Sequence, residues 1–210
     1  RPSPTLGCRP CFVPTSFTSL SLPPHSRASF KFDNFSRRFV DILAAQQTPE
    51  GSQWYQGTAD AVRQNLRYFL EQPFEYFLIL SGDQLYRMDF RVLLHQHIRS
   101  GADITLATTP VKREVASDFG LMLSGPDRRI TRFIEKPKDP KVQDEFKLDS
   151  ELLASIGSDP DEALFQASMR IHIFNRQVLT HCLDSDLNIC RTQLDPKASA
   201  LRQGQTLVFQ

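Results

Sequence analysis

The feature that most constrains this chain is Tyr76–Leu80 (YFLIL), an uninterrupted apolar run closed by Ser81-Gly82-Asp83. A run this short and wholly apolar reads as a strand buried on both faces, as in a parallel sheet. It falls far short of the roughly 20 residues needed to span a bilayer. Before it, Gly57–Gln72 predicts an amphipathic helix with Ala59, Val62, Leu66, Phe69 and Leu70 on one face, stopped by Pro73. After it, Asp89–Arg99 predicts a second helix with Phe90, Leu93, Leu94, His97 and Ile98 on one stripe, then a strand over Asp103–Pro110. With Phe39–Ala44 as an earlier strand, the order is strand, helix, strand, helix, strand, the signature of βαβ units.

The pattern then changes. Phe119–Leu123 and Arg129–Glu135 flank Gly125-Pro126-Asp127 and predict a β-hairpin. Residues 137–162, rich in Lys, Asp, Pro and Ser, read as an exposed loop or short helices. Phe165–Phe174 and Thr206–Phe209 predict strands and Arg176–Leu183 a helix. The expected fold is α/β, mainly parallel, with a β-hairpin insertion.

The 210 residues suffice for one large domain or a cramped two. With 25 Lys+Arg against 24 Asp+Glu the net charge is +1, which argues against partners held by a long-range field, so neither nucleic acid nor a membrane surface is expected. Residues 1–32 hold six prolines and no acid, a composition shared with transit peptides. Cys8 and Cys11 form a C-x-x-C, but Cys182 and Cys190, with seven residues between them, do not complete a zinc site. Reduced thiols in a reducing compartment are expected.

Three constellations carry possible chemistry. Asp83 follows a strand directly, where ligands of open α/β sheets sit, and could hold Mg²⁺ against phosphate oxygens or simply cap the next loop. Gln56 and Gly57 open a helix; a glycine there lets backbone N–H groups approach an anion, and Gln56 has the donor and acceptor for an adenine edge. The alternative is a plain helix start capped by Thr58. Glu135-Lys136-Pro137 ends a strand: Glu135 could accept from a vicinal sugar diol and Lys136 bind a phosphate, if the chain bends, or both are solvated. His95 and His97 project to different helix faces and make a poor metal pair, His97 reading as a core-edge residue and His95 as exposed.

Taken in order, these pieces resemble the ADP-glucose pyrophosphorylases (glucose-1-phosphate adenylyltransferases), which make ADP-glucose for glycogen or starch. The matching stretches are FVDILAAQQTP (39–49), WYQGTADAVRQN (54–65), SGDQLYRMDF (81–90), ADITLA (102–107), SDFGLM (117–122), FIEKP (133–137) and ASM-x-I-x-IF (167–174). W-Y-x-G-T-A-D-A beside S-G-D-x-L-Y-x-M-D separates this family from the thymidylyl- and uridylyltransferases of the same fold. Thr15, Phe17, Ser19, Ser21, Leu22 and His25 match a T-x-F-x-S-x-S-L-x-x-H pattern, so the acid-free start fits family sequence better than a transit peptide.

The resemblance implies a Rossmann-like nucleotidyltransferase domain whose N-terminal βα unit is missing. Residues 1–30 would be a poorly defined segment, 31–187 a partial catalytic domain and 188–210 its degenerate or truncated end. It implies ATP and glucose 1-phosphate as substrates and Mg²⁺ as cofactor. Asp83 would be the catalytic aspartate holding the metal, Tyr55, Gln56 and Gly57 part of the ATP site, and Glu135 and Lys136 the sugar-phosphate clamp, with Gly120 and Ser168 as further sugar-site positions. A homotetramer of the complete protein is implied, in the bacterial cytoplasm or, in a plant, the plastid. A regulatory subunit without turnover, or a transferase of other base specificity, is the alternative. The family's G-G-G-x-G-T-R-L loop with the K-P motif that follows it, and its G-Y-W-x-D, are not in the sequence, which therefore reads as a fragment. Arg170 stands where the family usually has Gly, and His172 where it usually has Tyr.

Overall fold

The computed structural model describes residues 11–15, 40–44, 55, 57–155, 157–159, 162–184 and 206–209. It divides into two units, Arg1–Pro73 and Phe74–Gln210, each taken by itself below.

In the first unit, β1 (Cys11–Thr15) and β2 (Val40–Ala44) pair in parallel, with Cys11 opposite Val40 and Thr15 opposite Ala44. The expected strand at 39–44 is β2, whereas β1 lies in a stretch for which the sequence suggested no element. The single helix expected over 57–72 is instead two, α1 (Thr58–Gln64) and α2 (Leu66–Leu70). Asn65 breaks it. This buried side chain donates through Nδ2 to the Ala61 carbonyl and to Tyr55 Oη, each at 2.8 Å. Its backbone N–H turns to the Val62 carbonyl at 3.2 Å, a tighter turn than the α-helical one. Phe69 of α2 is buried, its ring centroid 5.1 Å from that of Phe12 in β1.

The second unit is built on one long strand, β7 (Leu164–Asn175). The remaining elements are β3 (Tyr76–Leu80), α3 (Phe90–Ser100), β4 (Ile104–Lys112), α4 (Arg113–Ala116), β5 (Gly120–Ser124), β6 (Ile130–Glu135), α5 (Pro140–Asp144), α6 (Ser150–Ser155), α7 (Arg176–Asp184) and β8 (Thr206–Phe209). One edge of β7 pairs antiparallel with β4 along its length, and β8 lies parallel on the far side of β4. The other edge is shared. Its C-terminal half takes β3 (Leu80 opposite Ile171), its N-terminal half takes β5 (Leu121 opposite Ala167), and β6 closes the hairpin on β5.

The sheet is therefore mixed and not mainly parallel as expected: β3, β4 and β5 all run antiparallel to β7. The α/β, Rossmann-like character and the β5–β6 hairpin stand. Nor is β3 the doubly buried strand: Leu78 and Leu80 are exposed, and among the described residues no strand pairs with its other edge. Burial through five successive residues occurs instead at Ile104–Thr108 of β4 and Leu164–Ser168 of β7. Both lie where strands flank them on either side, which is where an unbroken apolar run belongs.

Two hydrophobic clusters sit on the two halves of β7. Leu93, Ala107, Ile171 and Ile173 form one, with Tyr86 and Met169 packed against it. Ala116, Leu121, Phe146, Phe165 and Ala167 form the other. Within 137–162 the short-helix alternative holds, as α5 and α6, but the stretch is not merely exposed: Phe146, Leu148 and Leu153 are buried and contribute to a core.

Helix α3 starts at Asp89, whose carboxylate accepts the Arg91 N–H at 3.0 Å and pairs with the Arg91 guanidinium, which holds Asp89 down at about 2. It ends at Gly101, at φ 64, the left-handed cap that favours glycine. His97 is fully buried, with Nδ1 2.7 Å from Thr105 Oγ1 and Nε2 3.0 Å from Asn175 Oδ1, so it belongs to the core itself and not its edge. Ile98, expected on the same stripe, is exposed, whereas His95 is exposed as expected. Among the described residues no helix is long and apolar enough to cross a membrane.

Burial pushes His172 down to about 4 and His97 below its ordinary range. Between about 4 and the ordinary histidine value near 6.5, the unfolded chain binds more protons than the folded one. This contribution to stability is complete above that window and is lost as pH falls through it. Thermal denaturation between pH 7 and pH 4 should show the melting temperature falling, with a shallower fall in His172→Phe.

Candidate active site

Strand register assembles the site. Along the shared edge of β7, β3 ends opposite Ile171 and the β5 pairing begins at Ala167, which leaves residues 168–170 facing the gap between them. Across β4 the same place is irregular: Ala107 pairs with Ile171 but Thr108 pairs with Ser168, so Met169 and Arg170 are extra residues on β7. Bulges of this kind re-aim side chains and interrupt pairing. Three segments of the expected site reach this gap: the Ser81-Gly82-Asp83 turn after β3, Gly120 at the start of β5, and Glu135-Lys136 at the end of β6, where Glu135 lies opposite Gly120.

Asp83 is largely exposed and ionised. Its pKa is held below the usual carboxylate value first by the Ser81 hydroxyl, which donates to Oδ1, then by its own backbone N–H, and then by the positive charges of Arg170 and Lys136. Arg170 Nη1 stands 3.7 Å from Asp83 Oδ2. The turn at the end of β6 comes at Lys136 itself, at φ 46, where its N–H donates to the Phe119 carbonyl at 3.1 Å. Pro137 is buried behind it, and its carbonyl accepts from Gln143 Nε2 at 2.8 Å. Left-handed backbone is uncommon away from glycine and costs about 1 kcal/mol or more, so the fold must impose it here. That turn frees Lys136 from the strict alternation that would set it opposite Glu135.

Gly120 fits the site by what it lacks. A Cβ at this position would lie 2.6 Å from Phe133 Cζ and 2.8 Å from Glu135 Oε2, so any larger residue pushes on the Glu135 carboxylate. Ser168 is buried, and its Oγ accepts the Arg170 N–H at 3.2 Å. The Met169 carbonyl accepts from Tyr86 Oη at 3.3 Å, so the bulge is held on both sides.

The expected nucleotide residues belong to the first unit. Tyr55 is half-buried, its hydroxyl engaged by Asn65. Gly57 is the N-cap of α1, at φ 126, a conformation other residues rarely adopt, and no side chain caps the helix there, so Thr58 is not its cap. Gln56 lies outside the described residues, as do Cys8 and Cys190. Among the described residues no three or more His, Cys, Asp or Glu side chains converge as a metal site.

Sequence reasoning missed three participants: Ser81 as the donor to Asp83, Tyr86 as the anchor of the bulge, and Arg170 as the cation facing Asp83. Arg170 at φ 55 occupies backbone that favours glycine, which accords with the glycine seen at this place in the resembling family. The available signal was that Arg170 is the one Lys, Arg, Asp or Glu in the strand segment LFQASMRIHIFN (164–175).

Comparison with known proteins agrees with this architecture. HddC from Yersinia pseudotuberculosis, a solved crystal structure, superposes with a TM-score of 0.60 at 14% identity, over 97% of this chain and 70% of that one. At that identity the likeness concerns the fold alone. The family model described as nucleotidyl transferase matches residues 8–201, which includes Asp83, Gly120, Glu135, Lys136 and Ser168. With its mixed sheet and a charged gap at the β7 bulge, the chain belongs to the nucleotidyl transferase family.

Proposed function

We propose that this chain transfers the adenylyl group of ATP to glucose 1-phosphate, releasing pyrophosphate and forming ADP-glucose for storage-glucan synthesis. The observation that carries the reading is the gap at residues 168–170, where one ionised carboxylate, Asp83, lies among cations at the carboxyl end of β3. The motifs around Trp54–Ala61 and Ser81–Phe90 support ATP and glucose 1-phosphate in particular over other nucleotides and sugars.

In this reaction a phosphate oxygen of glucose 1-phosphate attacks the α-phosphorus of ATP in line, and the bond to the β-phosphate bridge breaks. A sugar phosphate is largely ionised at neutral pH, with a second pKa near 6, so the attacking group needs no general base. What it needs is position and compensation of negative charge. Lys136, turned out of β6, binds the sugar phosphate. Glu135, lying over Gly120, accepts hydrogen bonds from the sugar diol, and Ser168 fixes the floor of the gap. Tyr55, Gln56 and Gly57 hold the nucleotide. Asp83 is suited to Mg²⁺ that arrives with phosphate oxygens, since Mg²⁺ takes one or two carboxylates plus substrate oxygens and water and needs no closed cage of protein ligands. When bound there, the ion would supply charge neutralisation between the phosphates.

A second reading, a subunit that binds these ligands without turnover, draws support from Arg170 standing at Asp83. The intact protein should release pyrophosphate from ATP plus glucose 1-phosphate, and far less from UTP or dTTP. Binding of ADP-glucose with no release would favour the second reading, and preference for another nucleotide would overturn the adenylyl assignment.

Two substitutions separate the roles. Asp83→Asn keeps the shape and removes the charge, and kcat should fall on the order of 10²-fold or more with altered Mg²⁺ dependence. Lys136→Gln removes a charge-assisted bond worth about 1.5–3 kcal/mol, so KM for glucose 1-phosphate should rise roughly 10- to 150-fold. In steady-state kinetics KM for ATP should hardly change; equal rises in both would return Lys136 to a solvated strand end.

A further inference from the structure

The chain places an arginine where its own backbone argues for glycine. Arg170 sits at φ 55 inside the β7 bulge, pinned by the Ser168 hydroxyl and, one residue back, by Tyr86. From there its guanidinium reaches the Asp83 carboxylate through one long contact, Nη1 to Oδ2 at 3.7 Å, and both side chains remain substantially exposed at 40% and 66%. Arginine meets a carboxylate most strongly through two parallel, short hydrogen bonds. This contact is neither short nor two-fold, so it is readily exchanged.

We propose that Arg170 is a tethered counter-ion of Asp83 that couples divalent-cation binding to phosphate binding in this gap. The proposal rests on the reading of Asp83 as the group that takes a divalent cation. A guanidinium and a divalent cation on the same carboxylate repel each other, so the cation displaces Arg170 from Asp83. Without an anion, the freed guanidinium gains nothing but water. With a phosphate group in the gap, it gains a partner whose geometry matches its planar fork. Phosphate therefore favours the metal at Asp83, and by linkage the metal favours phosphate to the same degree. Among the described residues it is Arg170, and not Lys136, that stands within ion-pair distance of the Asp83 carboxylate. The device discourages the cation from settling in the site without substrate.

The test is Mn²⁺ binding to the intact protein, followed by electron paramagnetic resonance of the free ion, without and with inorganic phosphate. The chains compared are the natural one, Arg170→Gln, Arg170→Gly and Asp83→Asn. Arg170→Gln removes the charge and leaves the backbone demand unchanged; Arg170→Gly also relieves it, and so provides a variant whose folding is not in question. Both should bind Mn²⁺ alone about two- to fivefold more tightly, the range an exposed ion pair supports. Phosphate should raise Mn²⁺ affinity in the natural chain and raise it less in both Arg170 variants. Unchanged Mn²⁺ affinity and an unchanged phosphate effect in both variants overturn the proposal, while loss of binding in Asp83→Asn leaves the reading of Asp83 standing. Mn²⁺ binding that survives Asp83→Asn, or is absent from every chain, overturns that reading and the coupling with it.

Discussion

Everything in the second unit depends on how the two edges of β7 are occupied. One edge is given wholly to β4, and the other is divided between β3 and β5, which run the same way and follow one another end to end. A strand shared in this manner cannot pair continuously, because two chain ends must be accommodated where its partners meet. The bulge at Met169 and Arg170 falls at that junction. It removes residues from the ladder where the neighbouring strands no longer need them, leaving backbone and side chains available to a ligand.

The forces in the gap differ in kind from those in the core. Leu93, Ile171, Phe146 and Phe165 are fully or almost fully buried, and truncating one such side chain costs about 2–5 kcal/mol. The Arg170–Asp83 ion pair is exposed, and pairs of that sort contribute little to folding. The charges at Asp83, Lys136 and Arg170 are thus poorly explained as stabilisers of the fold. Two of these three residues also stand in left-handed backbone, an added cost that packing elsewhere offsets.

Much of this was legible in the sequence, and the failures have physical causes. Asp83, Glu135 and Lys136 stand at strand ends, and strand ends are visible where apolar runs meet Gly or Pro. The hairpin was visible because Gly125-Pro126-Asp127 admits few other conformations. Strand direction was not: an apolar run reports burial but not the orientation of its neighbour, so YFLIL suggested a parallel sheet and gave an antiparallel pair with exposed Leu78 and Leu80. The break at Asn65 was hidden because Val62, Leu66 and Phe69 keep helical spacing across it. Phe146, Leu148 and Leu153 were hidden by the charges between them. The charge of Arg170 was readable, but its partner lies 87 positions away in sequence, and only strand register reveals it.

The two hydrophobic clusters lie on either side of the junction in β7, one around Ile171 and Ile173 with Tyr76 of β3 against it, the other around Phe165 and Ala167 with Leu121 of β5. Asp83 is carried by the first half, and Glu135 and Lys136 by the second. The spacing between the Asp83 carboxylate and Lys136 thus depends on how the two halves of β7, packed on separate clusters, continue across the irregular stretch at Met169 and Arg170. Substitutions deep in either cluster, far from any ligand, reach the site as an error of alignment in which every functional side chain is still present.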